Sequence, residues 1–444
     1  MKARWALAVA VACELLVAAV GLGVVRRPPP PAPRQSSAPM PTVVEPTTTT
    51  TAAPPTPLEL EIAALSDKVA SLRGLSFLRP VRVRPVTAEQ MQAIVLEAER
   101  PDAVTQAIGL TLGYFDPARD PALPTPRATW AALRVRVFYD IATEELLANV
   151  EGDGQNPASL RTPLVTALTL ALDDQHFDLD RVLTPSGIDE TDLTLATLAG
   201  GDSLRITEQY VEQLSDLDRE EIAASDRAAE RDALTQPPLT WRAEFGAADS
   251  ADGWPNIVGP LWIERLLQSG GQAALDAEFR SPPPTTAELL RAPSDPLRFV
   301  QVATPPADGE VIAEGAMGLA AFNEFQAAQW TSFQWNHYQW VGGRWIAWQS
   351  GPVASVRFTI HARDGLSAAL LRTSLELTSD LHGHATLAGP RVPHQTTDGV
   401  YPPVANAPVT YTACGPPDTR DQAASGRIYA AFLERFHEST RPRR

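Results

Sequence analysis

The chain has 444 residues, and its 44% hydrophobic content is enough for a sizeable core, which excludes wholesale disorder. The formal charge is -16; five basic and two acidic side chains give the first 57 residues +3, which leaves about -19 for the rest. A body this acidic repels phosphate backbones, so nucleic acid is excluded as an expected partner.

Residues 5–25, WALAVAVACELLVAAVGLGVV, form an apolar run interrupted by Glu14 and flanked by Lys2, Arg4, Arg26 and Arg27. A helix of that length spans roughly 30 Å, the thickness of a hydrocarbon core. The run ends in Val-Val-Arg-Arg-Pro, a poor cleavage context, so residues 1–27 read as a retained membrane anchor rather than a cleaved signal peptide. Residues 28–57 hold eleven prolines and seven threonines and cannot bury a core. They read as an extended, disordered stalk. The expected arrangement is a single-pass bacterial cell-membrane protein with its body, residues 58–444, outside the cytoplasm. Cys13 and Cys414 are the two cysteines, too few for a disulfide framework or a cysteine-based zinc module.

Within the body, Leu58, Ile62, Leu65, Val69 and Leu72 recur at helical spacing, a helix ended by Gly74. Residues 77–85 alternate as a strand does, and 87–99 return to helix. Residues 133–150 predict a hairpin turning at 140–144. Thr162 and Pro163 read as the cap and first residue of an apolar helix. Further helices are expected at 191–231, at 255–279 with a break at Gly270–Gly271, and at 421–437. A β-richer portion covers about 330–415. The fold class is α+β.

At 161–179, RTPLVTALTLALDDQHFDL resembles a family of bacterial zinc metallopeptidases whose signature is close to L-V-H-E-L-T-H-A-L-Q-D-Q-H-F-D-L. The likeness continues through LRGLSFLRPV (72–81), VFYDIATEEL (137–146), LAGGDS (198–203), residues 258–290, EGAMGL (314–319) and VGGRWIAW (341–348). It implies a zincin-like helical body with a small sheet and a zinc ion. In such a site two histidines one helical turn apart hold zinc, the intervening glutamate serves as base, and another helix adds a third ligand. Here those positions fall on Thr166, Leu170, Ala167 and Gly200. Leucine, alanine and glycine offer no donor atom and a lone threonine hydroxyl is a poor ligand, so zinc is expected to be absent.

Asp173, Asp174, His176 and Asp202 are an alternative oxygen-rich set, but paired aspartates at a helix end usually face water. Half of the ten tryptophans lie in 330–348. They read first as sheet packing, and Trp335, Trp340 and Trp345 also as possible lining of a vacated cleft. The edge Val135, Val137, Phe138 and Tyr139 is a candidate surface for peptide pairing. These features point to a catalytically inactive, membrane-anchored binding or scaffolding module with a protein or peptide partner. A hydrolase with a rebuilt site and a purely structural envelope protein are the alternatives.

Overall fold

The computed structural model describes residues 55–98, 103–113, 135–151, 157–182, 190–224, 258–290, 300–322, 340–351, 353–364, 385–388 and 408–414, with a few further positions between 325 and 376. The expected anchor, nearly all of the stalk and the 421–437 helix lie outside the described residues. Among the described residues no helix is long and apolar enough to cross a membrane.

Helix α1 (Pro57–Arg73) opens with a capping box: Glu59 N donates to Thr56 Oγ1 at 3.3 Å, and Thr56 N donates to the Glu59 carboxylate at 2.6 Å. Thr56 and Pro57 therefore belong to the folded body rather than to the stalk. Gly74, at φ 78, closes the helix in the left-handed conformation that glycine adopts without strain. The strand expected at 77–85 forms only as β1 (Arg82–Val86). Gln175 Oε1 accepts from Leu78 N and Arg79 N at 2.8 and 3.2 Å, which takes those donors from any ladder.

Helices α2 (Ala88–Ala98) and α3 (Ala103–Leu112) follow, then the expected hairpin, β2 (Val137–Asp140) and β3 (Glu145–Asn149). Helix α4 (Pro157–Phe177) starts five residues before the expected cap at Thr162, so Pro163 lies inside it. Proline there withholds one backbone donor. Burial of Leu160, Leu164, Val165, Leu168 and Leu172 outweighs that loss, each contributing about 1.5–3 kcal/mol relative to exposure. A 3-10 turn at Leu179–Val182 follows.

Helix α5 (Thr191–Glu212) ends well short of 231, and a separate helix covers 216–224. Ser215 restarts the chain by accepting from Asp218 N at 3.1 Å, the usual N-cap exchange. Helix α6 (Gly259–Arg280) contains the expected break: Gly271 lies at φ 63 and ψ -156. A short α7 (Thr286–Leu290) leads to β4 (Glu310–Ala316), β5 (Trp340–Ser350), β6 (Val353–Ala362), β7 (Thr386–Ala388) and β8 (Pro408–Cys414). The β-rich portion thus begins at Glu310, earlier than expected.

Two sheets organise these elements. The smaller has the order β1-β3-β2, with β1 parallel and β2 antiparallel to β3. Val137, Tyr139, Leu146 and Ala148 point from it into a core shared with α1, α4, α5 and α6. Val86, Val135, Phe138 and Leu147 face the other way, onto Met91 and Val95 of α2. The larger sheet is antiparallel in the order β4-β5-β6-β8-β7. Phe358, Ile360 and Tyr411 pack there against Phe322 and Phe325, and Trp262 of α6 touches both main cores.

Candidate functional site

The four positions to which the resemblance assigns zinc ligands and a base are all buried on α4 and α5. Thr166 and Leu170 are 3% exposed and Ala167 is fully covered; Gly200 is buried, its carbonyl accepting from Ser203 Oγ at 2.8 Å. Thr166 Oγ1 donates to Thr162 O at 3.1 Å and lies 2.9 Å from Thr207 Oγ1. Thr207 is seven residues beyond Gly200, about 10 Å further along the same helix. Thr166 and Gly200 thus sit at different levels of the α4–α5 pair. Three of the four side chains carry no donor atom and the fourth is hydrogen-bonded within the core, so these residues do not fit zinc. Among the described residues no three of His, Cys, Asp and Glu are grouped to hold a metal ion.

About one turn past Leu170 on α4, and two residues past Gly200 on α5, lies a buried charge cluster. The Arg73 guanidinium, at the end of α1, has no exposed surface. Its Nε donates to Asp173 Oδ1 of α4 at 3.0 Å and also meets Asp202 of α5, while Nη1 donates to Asp276 Oδ1 of α6 at 2.9 Å. Arg205 donates from Nε to Asp202 Oδ1 at 2.8 Å, and Gln272 Nε2 to Asp276 Oδ1 at 3.1 Å. Phe177 and Phe279, stacked with centroids 4.8 Å apart, lie 5.6 and 5.5 Å from the Arg73 head. Burial alone would lower the pKa of Arg73, but the three carboxylates overcome it and hold the group above its ordinary value. The reading of Asp173 and Asp174 as a solvated helix end is overturned: they are 0% and 8% exposed. One signal in the sequence marks this site. Arg73 continues the apolar stripe Ile62, Leu65, Val69 at the next helical step, where a cation needs buried partners.

The retained D-Q-H-F segment anchors the loop between α1 and β1. Tyr139 Oη donates to Asp174 Oδ2 at 2.7 Å, and Asp174 Oδ1 accepts from Leu179 N at 2.9 Å. Burial raises both the Tyr139 phenol and the Asp174 carboxyl above their ordinary pKa values. His176 does not bond locally; its Nε2 lies 2.8 Å from Ser76 O, across 100 residues of sequence. Beside this anchor, Arg79, Pro80, Val81, Arg82, Tyr139, Glu144 and Gln175 line a cleft of about 310 Å³.

The hairpin edge is differentiated by its hydrogen bonding. Asn149 N donates to Arg136 O at 2.8 Å, so Phe138 and Asp140 also turn their backbone groups toward β3. Val137 and Tyr139 turn theirs to the outer edge, where β2 pairs with no other strand among the described residues. At the opposite edge, Val150 N donates to Val86 O, which turns Val83 and Pro85 outward. Pro85 has no N–H, so that edge is blunted. The side chains of Val135, Val137, Phe138 and Tyr139 are all buried, between 1% and 9% exposed, leaving only main chain available along β2.

The tryptophans do not gather at the α4 positions. Trp340 is 2% exposed, donates from Nε1 to Met317 O at 2.9 Å and belongs with Trp345 to the core of the larger sheet. Their reading as cleft lining gives way to sheet packing, because the bulge between Trp340 and Gly342 brings positions 340 and 345, an odd number apart, onto one core; Trp335 lies outside the described residues. No family profile, curated protein or solved structure matches the chain. The likeness to zinc metallopeptidases therefore rests on the sequence segments quoted above.

Proposed function

We propose that this protein is a membrane-tethered, extracytoplasmic, zincin-like module that has no peptidase chemistry and works by binding. The observation that carries the proposal is the set Thr166, Ala167, Leu170 and Gly200. It is buried, apolar apart from one engaged hydroxyl, and continuous with the helical core. Imidazoles without metal at those positions would cost desolvation energy, so their replacement by core residues stabilises packing. The outward main-chain groups of Val137 and Tyr139 support an extended peptide as ligand, held by strand addition beside β2.

The test uses the full-length chain purified in detergent. It is expected to hold no stoichiometric zinc by mass spectrometry, and neither added zinc nor a chelator should move its melting temperature. Tightly held zinc near one equivalent would overturn the proposal. For the binding surface, a random-peptide display library panned on wild type should yield binders that Val137→Pro loses while its circular dichroism stays native. Equal recovery on the variant would remove the β2 edge as the contact.

A further inference from the structure

The Arg73 cluster contains one more carboxylate than guanidinium. Arg73 and Arg205 face Asp173, Asp202 and Asp276; the side chains of Arg73, Asp173 and Asp202 have no exposure, and those of Arg205 and Asp276 have 15% each. A wholly buried carboxylate oxygen left without a donor is strongly disfavoured. The oxygens are also unequal. Asp173 Oδ1 and Asp202 Oδ1 accept from guanidinium donors, and Asp276 Oδ1 accepts from Arg73 and Gln272. Asp173 Oδ2 is buried with no hydrogen-bond partner. Asp202 Oδ2 is also buried without a hydrogen-bond partner but lies in ion-pair contact with Arg73 Nε, which leaves Asp173 Oδ2 as the oxygen best placed to carry a proton.

We propose that Asp173 Oδ2 is a buried proton-binding site, so that the four-helix junction of α1, α4, α5 and α6 is closed by a neutral carboxylic acid rather than a third carboxylate. The charged groups around it are Arg73 from α1, Asp202 and Arg205 from α5, and Asp276 from α6. On its own helix the neighbour is Asp174, occupied by Tyr139 of β2. Arg280 lies over the far ring, Phe177, at 5.5 Å. Burial is the leading influence on Asp173 and raises its pKa well above the ordinary value; Arg73 opposes this and Asp202 reinforces it.

The folded state thus holds a proton that the unfolded chain has already released once the pH exceeds the ordinary aspartate range. The stabilisation it brings is complete below that range and is lost as pH rises through the folded-state pKa. This contribution to the junction is greatest in acid and declines as the pH rises.

The experiment compares full-length wild type with Asp173→Asn, which keeps the shape of the neutral acid. Asp276→Asn, at the partly exposed end of the cluster, is the control. Infrared difference spectra at neutral pH should show a protonated-carboxyl C=O band in wild type that is missing from Asp173→Asn and kept in Asp276→Asn. Melting temperature should fall by a few degrees as pH is raised in wild type and markedly less in Asp173→Asn, whose melting temperature exceeds wild type at the alkaline end. If the band is absent from wild type, or if Asp173→Asn is less stable by the same amount at every pH, Asp173 is an ordinary ionised partner of Arg73 and the proposal fails. The infrared readout separates protonation from a general loss of packing.

Discussion

Helices α5 and α6 cross where Gly201 and Gly259 meet, and replacing Gly201 by alanine tests whether that crossing holds the charge cluster together. A methyl at 201 would lie 2.5 Å from the carbonyl carbon of Gly259, 2.7 Å from its Cα and 2.9 Å from Pro260 N, whereas ordinary contact begins at 3.4 Å. The shortfall is about 0.9 Å, and the obstructing atoms are helix backbone that cannot rotate away. Helix propensity favours alanine by about 1 kcal/mol. Overpacking costs about 1–3 kcal/mol. Separation of the helices also draws Asp276 from Arg73, weakening a charged hydrogen bond worth about 1.5–3 kcal/mol. The net expectation is a destabilisation of about 2–4 kcal/mol, seen as a lower urea midpoint by tryptophan fluorescence with an unchanged slope. Gly259→Ala should behave alike, because its methyl would lie 2.5 Å from Thr197 O. An unchanged or higher midpoint for Gly201→Ala would mean that propensity alone governs the site, and the close crossing would be refuted.

A second buried carboxylate joins the helical body to the larger sheet. Glu190 accepts from Thr286 Oγ1 at 2.6 Å, Thr286 N at 2.9 Å and Ala321 N at 3.3 Å. Glu190→Ala, which orphans these donors and leaves a cavity, should cost about 2–4 kcal/mol in denaturant unfolding. A methyl at Gly318 would overlap the same carboxylate, so Gly318→Ala should match that loss; stability equal to wild type in either variant would dismiss the latch. Thr166→Val removes one interhelical hydroxyl contact while Thr207 keeps its 2.7 Å bond to Ser203 O. It should cost no more than about 1.5 kcal/mol and leave peptide capture intact, and a larger loss of capture than of stability would assign Thr166 a direct role.

Much of the local structure was legible in the order of residues. Thr56 and Pro57, which read as stalk, turn out to cap and open α1, whereas Gly74 marks the end of that helix through interactions spanning a few residues. The same holds for the turn before Glu145 and for the glycine pair that breaks α6. Legibility failed where a distant group competed for a local donor. Leu78 and Arg79 read as strand until Gln175, in another element, takes their N–H groups. The start of α4 was misplaced because Pro163 is a good first residue in isolation, whereas burial along the whole helix decides where it begins. The candidate site divides in the same way. That Ala167, Leu170 and Gly200 bring no side-chain donor atom follows from residue type alone. That Val137 and Tyr139 are the outward pair on β2 follows only from the hairpin register.

What the sequence determined by itself, then, is the set of patterned segments and the lack of side-chain donor atoms at Ala167, Leu170 and Gly200, since both depend on residue type and short spacing. The tertiary structure decided that Arg73 meets an aspartate 100 residues away and another 203 away. It also decided that Glu190 reaches Thr286 across 96 residues. Charge interactions and desolvation depend on distance through space and on depth from water, and neither quantity exists until the chain has folded.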